Sequence, residues 1–246
     1  QTPSDCFAAA VEAARIAVEY RTPVFLLSDG YVANGAEPWL IPDVDSLPVI
    51  EPKFATGTNH TMPDGTDVFW PFKRDADTLA RPWAPPGVAG LEHRIGGIEK
   101  ADGTGNISYD PANHDFMVRT RQAKVDGIAR SIPQLAVDDP SGSAKVLVIG
   151  WGSTYGPIQD ACRQLREQGV DVAHAHLRHL NPFPSNTGDV LRRYDKVLVP
   201  EMNLGQLNML LRAAFLVDTI GYNQVKGLPF KTNELMDAIK DVVASV

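Results

Sequence analysis

The feature that most constrains this chain is the alternation of short apolar runs with amphipathic stretches over its last hundred residues. Lys145 to Ile149 is brief and continuously apolar, the pattern of a strand buried on both faces. Pro157 to Gln168 predicts a helix stopped by Gly169. A second strand over Val170 to Leu177 follows, then a short helix at Gly188 to Arg193 and a third strand at Lys196 to Val199. The pattern closes with a helix from Leu207 to Leu216, a short strand over Thr219 to Val225, and a helix through Ala244 capped by Thr232 or Asn233. Such alternation implies right-handed crossovers, and so an α/β fold with a mainly parallel sheet covered on both faces.

The first 142 residues read differently. Ser4 or Asp5 can cap a helix in which Phe7, Val11, Ala14 and Val18 recur at helical spacing. Pro23 to Ser28 then has the look of a buried parallel strand. One helix and one strand are the end of a domain rather than a whole one, so residues 1–45 are expected to complete an α/β domain that starts upstream. Nine prolines between Pro38 and Pro86 forbid long helices, while Trp39, Trp70 and Trp83 are too apolar for a disordered linker. We therefore expect an ordered, extended arm. Asp110 or Asn113 opens a helix to about Ser131, with Val118, Val125, Ile128 and Ile132 on its buried face. The expected parts are 1–45, the arm and helix at 46–142, and 143–246.

A net charge of −7 argues against nucleic acid, because phosphate binding needs clustered Lys and Arg. No apolar run approaches bilayer length, and the opening residues lack a basic segment followed by an apolar one. Cytoplasmic placement without membrane contact is the expectation. Cys6 and Cys162 are the two cysteines, too few to hold an iron–sulfur cluster, which takes four thiolates.

Several motifs invite a ligand. Gly150, Gly152 and Gly156 join the first strand of the sheet to its helix, as in dinucleotide-binding turns. Their spacing departs from that pattern, and the second strand runs through His174, His176 and His179 instead of ending on an acidic residue. His174 and His176 share one strand face and read as core or interface histidines in preference to a metal site. Asp29-Gly30 with Asn59 superficially resembles a magnesium-diphosphate motif, but a Pro-rich arm separates them and Asn59 precedes His60. Glu92, His93, His114, Arg119 and Arg121 are candidates to meet a carboxylate or phosphate, or else to fasten the arm.

Segments in order along the chain resemble the α subunit of 2-oxoacid:ferredoxin oxidoreductases, most closely the 2-oxoglutarate type. They are Pro23 to Tyr31, Gly90-Leu91-Glu92-His93, Asp110 to His114 with Met117 to Val125, Leu180 to Pro184, and Val199 to Leu207. The resemblance implies the end of a thiamine-pyrimidine-type domain, an extended Pro-rich arm, and a domain similar to the C-terminal domain of transketolase. It implies oxidative decarboxylation of 2-oxoglutarate with coenzyme A, giving succinyl-CoA, carbon dioxide and reduced ferredoxin. Thiamine diphosphate, Mg2+ and an iron–sulfur cluster would be held mostly by a β subunit, with none fully bound by this chain, and the glutamate that activates the aminopyrimidine would lie upstream. Activity would thus require the upstream region and the β subunit. Glu201, Asn203 and Gln206, just after a strand, are expected at an interface. A scaffold or regulatory module on the same fold, or a nicotinamide-binding domain, are the alternatives.

Overall fold

The alternation after residue 145 is realised as a five-stranded sheet in the computed structural model of the protein, which describes residues 1–94 and 96–246. In chain order the first elements are α1 (Asp5–Tyr20), α2 (Gly30–Ala33), a small pair β1 (His60–Thr61) and β2 (Asp67–Val68), and α3 (Pro111–Gly127). The sheet and its helices follow: β3 (Val137–Asp138), β4 (Val146–Trp151), α4 (Tyr155–Glu167), β5 (Ala173–Leu177) and α5 (Thr187–Leu191). β6 (Lys196–Glu201), α6 (Gln206–Phe215), β7 (Thr219–Asn223) and α7 (Thr232–Val243) complete it. Two units result. The sheet unit comprises Gln1–Ala9, Leu27–Leu40 and Ile132–Val246, and the arm unit Ala10–Leu26 and Ile41–Ser131. Contacts divide the first 45 residues between the two units.

In the sheet unit the order is β3-β5-β4-β6-β7, with β4, β5, β6 and β7 parallel and β3 antiparallel at the edge. Alternation along β4 divides its side chains between two cores. Leu147 and Ile149 pack with Ala173, Ala175, Val197, Val199 and the α5–α6 side chains Leu191, Leu207 and Leu211. Val146 and Val148 pack on the other face with Ile158 and Leu165 of α4 and with Leu235 and Ile239 of α7. Burial on both faces explains why β4 and the middle of β6 read as continuous apolar runs. Gly150 is required where β4 meets α4, because a Cβ there would lie 2.5 Å from Ile158 Cδ1. Thr232 opens α7, but its hydroxyl donates to Asp160 Oδ2 at 3.0 Å and does not cap the helix.

The arm unit is ordered largely without regular structure. Its short strands pair antiparallel, and isolated bridges join Phe54 to Trp83 and Phe72 to Gly103. Asp110 caps α3 through the Ala112 N–H, with Pro111 in the first turn. Two expectations fail. Pro23 to Ser28 forms no regular element and is not a strand, with Phe25 87% and Leu27 67% exposed, since none of the described residues pairs with its backbone. The buried stripe of α3 is rotated in part from the expected one: Met117 and Lys124 are buried and Val118 is 44% exposed, whereas Ile128 and Ile132, just past the helix, are buried on the expected face. The rotation brings a lysine inward, which a hydrophobic template cannot anticipate.

Candidate functional site at the switch point of the sheet

From β4 the chain crosses to β5 on one side, whereas β6 and β7 lie on the other, so the strand order reverses between β4 and β6. At such a point the loops beyond the carboxyl ends of the strands diverge and leave a crevice. A pocket of about 620 Å³ occupies this position, lined by Asp29, Tyr31, Trp151, Ser153, Met202 and Asn203 among others.

Its walls are built by two linked turns. Beyond β6, the carboxylate of Glu201 is fully buried and receives four donors. Oε1 accepts from Leu207 N at 2.8 Å, Asn203 Nδ2 at 3.1 Å and Trp151 Nε1 at 3.3 Å, and Oε2 accepts from Asn208 N at 2.9 Å. A carboxylate at the start of α6 meets the positive end of the helix and satisfies N–H groups that lack an intrahelical partner. Asn203 Oδ1 accepts from Gly205 N at 2.7 Å and Gln206 N at 3.2 Å, completing the cap. Beyond β4, Thr154 Oγ1 closes the turn on the Trp151 backbone. His176 supports the same turn from behind, its Nε2 lying 3.0 Å from the Gly152 carbonyl.

Burial pushes the imidazole of His176 down to about 3 and that of His174 to about 4. Both rings are neutral at neutral pH and pack near Tyr155, so they are core histidines, as the sequence reading preferred. Asp29 joins the pocket from the other side. Its Oδ1 caps α2 through Tyr31 N at 3.0 Å and Val32 N at 3.1 Å, and its Oδ2 accepts from the Ser153 hydroxyl. The pocket thus presents aromatic and apolar faces with a few fixed polar groups, an arrangement suited to holding and positioning a binding partner.

The residues singled out in the sequence fall into separate places. Glu201 has no exposed surface, so it acts on any interface only by setting Trp151 and α6, whereas Asn203 is partly exposed and Gln206 exposed. In the arm unit, His114 and Arg121 converge on Glu99, the latter at 3.6 Å. Arg119 pairs with Asp115 one turn away at 2.7 Å, on the exposed surface of α3. Glu92 accepts from Gly90 N at 2.9 Å, and His93 contacts the Leu91 carbonyl and packs near Phe69. Sequence reasoning missed Glu99, Trp151 and Ser153. Trp151 and Ser153 left a trace, since both lie inside the Gly-rich strand-to-helix turn, whereas Glu99 left none.

The residues do not fit magnesium diphosphate. Asp29 is engaged by α2 and Ser153, while Asn59 is tied to Trp70, donating to its carbonyl at 3.0 Å and accepting from its N–H at 2.7 Å. No step is therefore assigned to that group on this chain. Cys162 is buried and its thiol is pushed up to about 12, which unsuits it as a thiolate ligand.

Comparison with known proteins places these features in a family. Residues 1–108 match the family described as pyruvate flavodoxin/ferredoxin oxidoreductase, thiamine diphosphate-binding, and residues 144–228 match pyruvate:ferredoxin oxidoreductase core domain II. Over 244 residues the chain is 57% identical to 2-oxoglutarate oxidoreductase subunit KorA of Mycobacterium tuberculosis, covering 99% of this chain and 36% of that protein. It is 31% identical over 247 residues to the α subunit of a 2-oxoacid:ferredoxin oxidoreductase of Aeropyrum pernix, covering 97% of this chain and 37% of the relative. The solved 2-oxoglutarate:ferredoxin oxidoreductase from Magnetococcus marinus, with 2-oxoglutarate, coenzyme A and succinyl-CoA bound, superposes with a TM-score of 0.80 at 30% identity. That match covers 93% of this chain and 39% of the solved one. The chain thus spans well under half the length of these relatives, and it belongs to the 2-oxoacid:ferredoxin oxidoreductase α-subunit family.

Proposed function

We propose that this chain is part of the α subunit of a 2-oxoglutarate:ferredoxin oxidoreductase. The assembled enzyme converts 2-oxoglutarate and coenzyme A into succinyl-CoA and carbon dioxide while two electrons pass singly to ferredoxin. The observation that carries this reading is the 57% identity across 99% of the chain to a 2-oxoglutarate oxidoreductase subunit. Thiamine diphosphate would supply carbanion stabilisation, and an iron–sulfur cluster would remove the electrons. These groups, with Mg2+, are assigned mostly to the β subunit, and the glutamate that activates the aminopyrimidine to the upstream part of the α subunit; Asp29, Asn59 and Cys162 of this chain are engaged or buried.

In this reading residues 1–45 complete the pyrimidine-contacting domain, 46–142 form a connecting arm, and 143–246 form a transketolase C-terminal-like domain. The switch-point pocket, lined in part by Asn203, and the exposed Gln206 meet the partner subunit. Glu92, His93, His114, Arg119 and Arg121 serve docking of the arm or access of substrate. We place the complex in the cytoplasm; among the described residues no helix is long and apolar enough to cross a membrane.

The test is reduction of a low-potential dye by the full-length chain co-purified with its β subunit, supplied with thiamine diphosphate, Mg2+, coenzyme A and a panel of 2-oxoacids. Strong reduction with 2-oxoglutarate and little with pyruvate or branched-chain acids is expected. A complex with loaded clusters that reduces the dye with none of these acids overturns the reading.

A further inference from the structure

In the arm unit a recess of about 810 Å³ is lined by six cationic side chains, Arg15, Arg21, Lys53, Lys73, Arg74 and Arg81, against three acidic ones, Glu19, Glu51 and Asp75. This excess of positive charge stands in a chain whose net charge is −7. The acidic groups offset it only in part, Arg15 being paired with Glu12 and Glu19 while Asp75 acts on Arg21 without forming an ion pair. Glu19 pairs with Arg15 at 2.6 Å, and one oxygen of Asp75 is taken by Asp77 N, Thr78 N and the Thr78 hydroxyl. Among the described residues no ion pair forms to Arg21, Arg74, Arg81 or the neighbouring Lys124.

These cations are held by neutral groups instead. Arg21 donates to the Lys53 carbonyl at 2.6 Å and lies over the Trp83 ring at 4.9 Å. Arg74 donates to the Leu79 carbonyl at 3.1 Å, and Arg81 lies over Phe72 at 4.4 Å. The Nε donors of Arg21 and Arg74 are buried and have no acceptor. Burial lowers the pKa of all three guanidinium groups and brings Lys124 down to about 8; neighbouring cations lower Arg74, Arg81 and Lys124 further, while Asp75 and Asp102 work in the other direction on Arg21 and Arg74. The backbone is also unusual here. Arg21 and Leu79 are two of the three non-glycine residues with positive φ among the described residues, at 48° and 56°. Arg21 takes the left-handed conformation just past α1, where glycine is the ordinary occupant, and strain of this kind collects at functional sites.

We propose that this recess binds a small phosphorylated ligand, with a diphosphate group received by Arg21, Arg74 and Arg81. Guanidinium forks match phosphate oxygens, and aromatic stacking fixes them in advance. The concavity and volume are those of a small-molecule site and not of a flat protein contact.

The test uses the full-length chain assembled with its partner subunit and saturated with thiamine diphosphate, so that the coenzyme's own site is filled. Inorganic pyrophosphate and a nucleoside diphosphate are titrated calorimetrically at constant ionic strength; the comparison separates a free diphosphate from a nucleotide. Saturable binding is expected, weakened at least tenfold in Arg74→Gln and in Arg81→Gln. The exposed double variant K53A/K73A, which leaves the buried groups in place, weakens it by a smaller factor of about three. Absence of saturable binding overturns the proposal and favours an acidic segment of the assembly as the occupant. Affinity equal in wild type and all three variants, or equal for sulfate and pyrophosphate, also overturns it. The readout is binding rather than turnover, so it stands or falls separately from the oxidoreductase reading.

Discussion

The indole N–H of Trp151 donates to Glu201 Oε1 at 3.3 Å, linking the end of β4 to the first turn of α6 through one buried carboxylate. Glu201→Ala removes the acceptor from two backbone N–H groups, the Asn203 amide and the indole at once. A loss of about 3–5 kcal/mol is expected, since buried donors are left without partners. Glu201→Gln keeps the shape but sets an amide NH2 against donors, for about 2 kcal/mol. Denaturant unfolding measures both, and Trp151 fluorescence reports whether the pocket wall moves with them.

His174 and His176 make the sheet unit acid-sensitive. Their folded-state pKa values, about 4 and about 3, lie below the ordinary 6.5. Below pH 6.5 the unfolded chain therefore binds more protons than the folded one, and stability falls as pH drops towards 4. The loss is on the order of 2 kcal/mol for each ring. Above pH 6.5 both forms are neutral and the effect is absent. His176→Phe should flatten part of the acid limb in a melting-temperature series between pH 7 and 4.

Lys124 gives a pH dependence of the same sign in an alkaline window. Its amine is held at about 8 instead of 10.5 by burial and then by Arg74, Arg81, Arg121 and Arg21. Between pH 8 and 10.5 the unfolded chain carries the extra proton, so stability rises with pH across that window. Lys124→Met relieves the buried charge although it gives up the bond from Nζ to the Arg21 carbonyl. A gain of about 1–2 kcal/mol at pH 7 is expected, with the alkaline rise abolished. Denaturant titrations at pH 7 and pH 10 distinguish the two proteins.

The cysteines should differ in reactivity. Cys162 is buried on α4 with its thiol pushed up to about 12, whereas Cys6 is partly exposed. Under native conditions at pH 7.5 an alkylating reagent should modify Cys6 and leave Cys162 intact until the sheet unit unfolds. Mass spectrometry of tryptic peptides reads this directly, and early labelling of Cys162 would contradict the packing described.

The parallel sheet was legible because β4 and β6 are buried on both faces, which writes short apolar runs between helices, whereas β5 alternates small apolar residues with His174 and His176. β3 escaped notice, since Val137–Asp138 is a two-residue edge with no periodicity to detect. Pro23 to Ser28 has strand composition, yet composition cannot supply the neighbour a strand needs. Residues of the candidate site were legible only where a motif was local. Glu201 to Gln206 forms a contiguous cap, while Glu99 meets His114 and Arg121 across a loop that no spacing rule encodes. The cationic recess was invisible for the same reason. Arg21, Arg74, Arg81 and Lys124 are scattered over a hundred residues of an acidic chain, and only the fold brings them together.

The most direct measurement of the central claim is the electron and carbon balance of the assembled full-length enzyme on 2-oxoglutarate labelled at its C1 carboxylate. The predicted result is one labelled carbon dioxide and one succinyl-CoA for every two electrons delivered to ferredoxin, with turnover dependent on coenzyme A. Electron delivery without release of the C1 label, or release of the label with no reduction of ferredoxin, would contradict it.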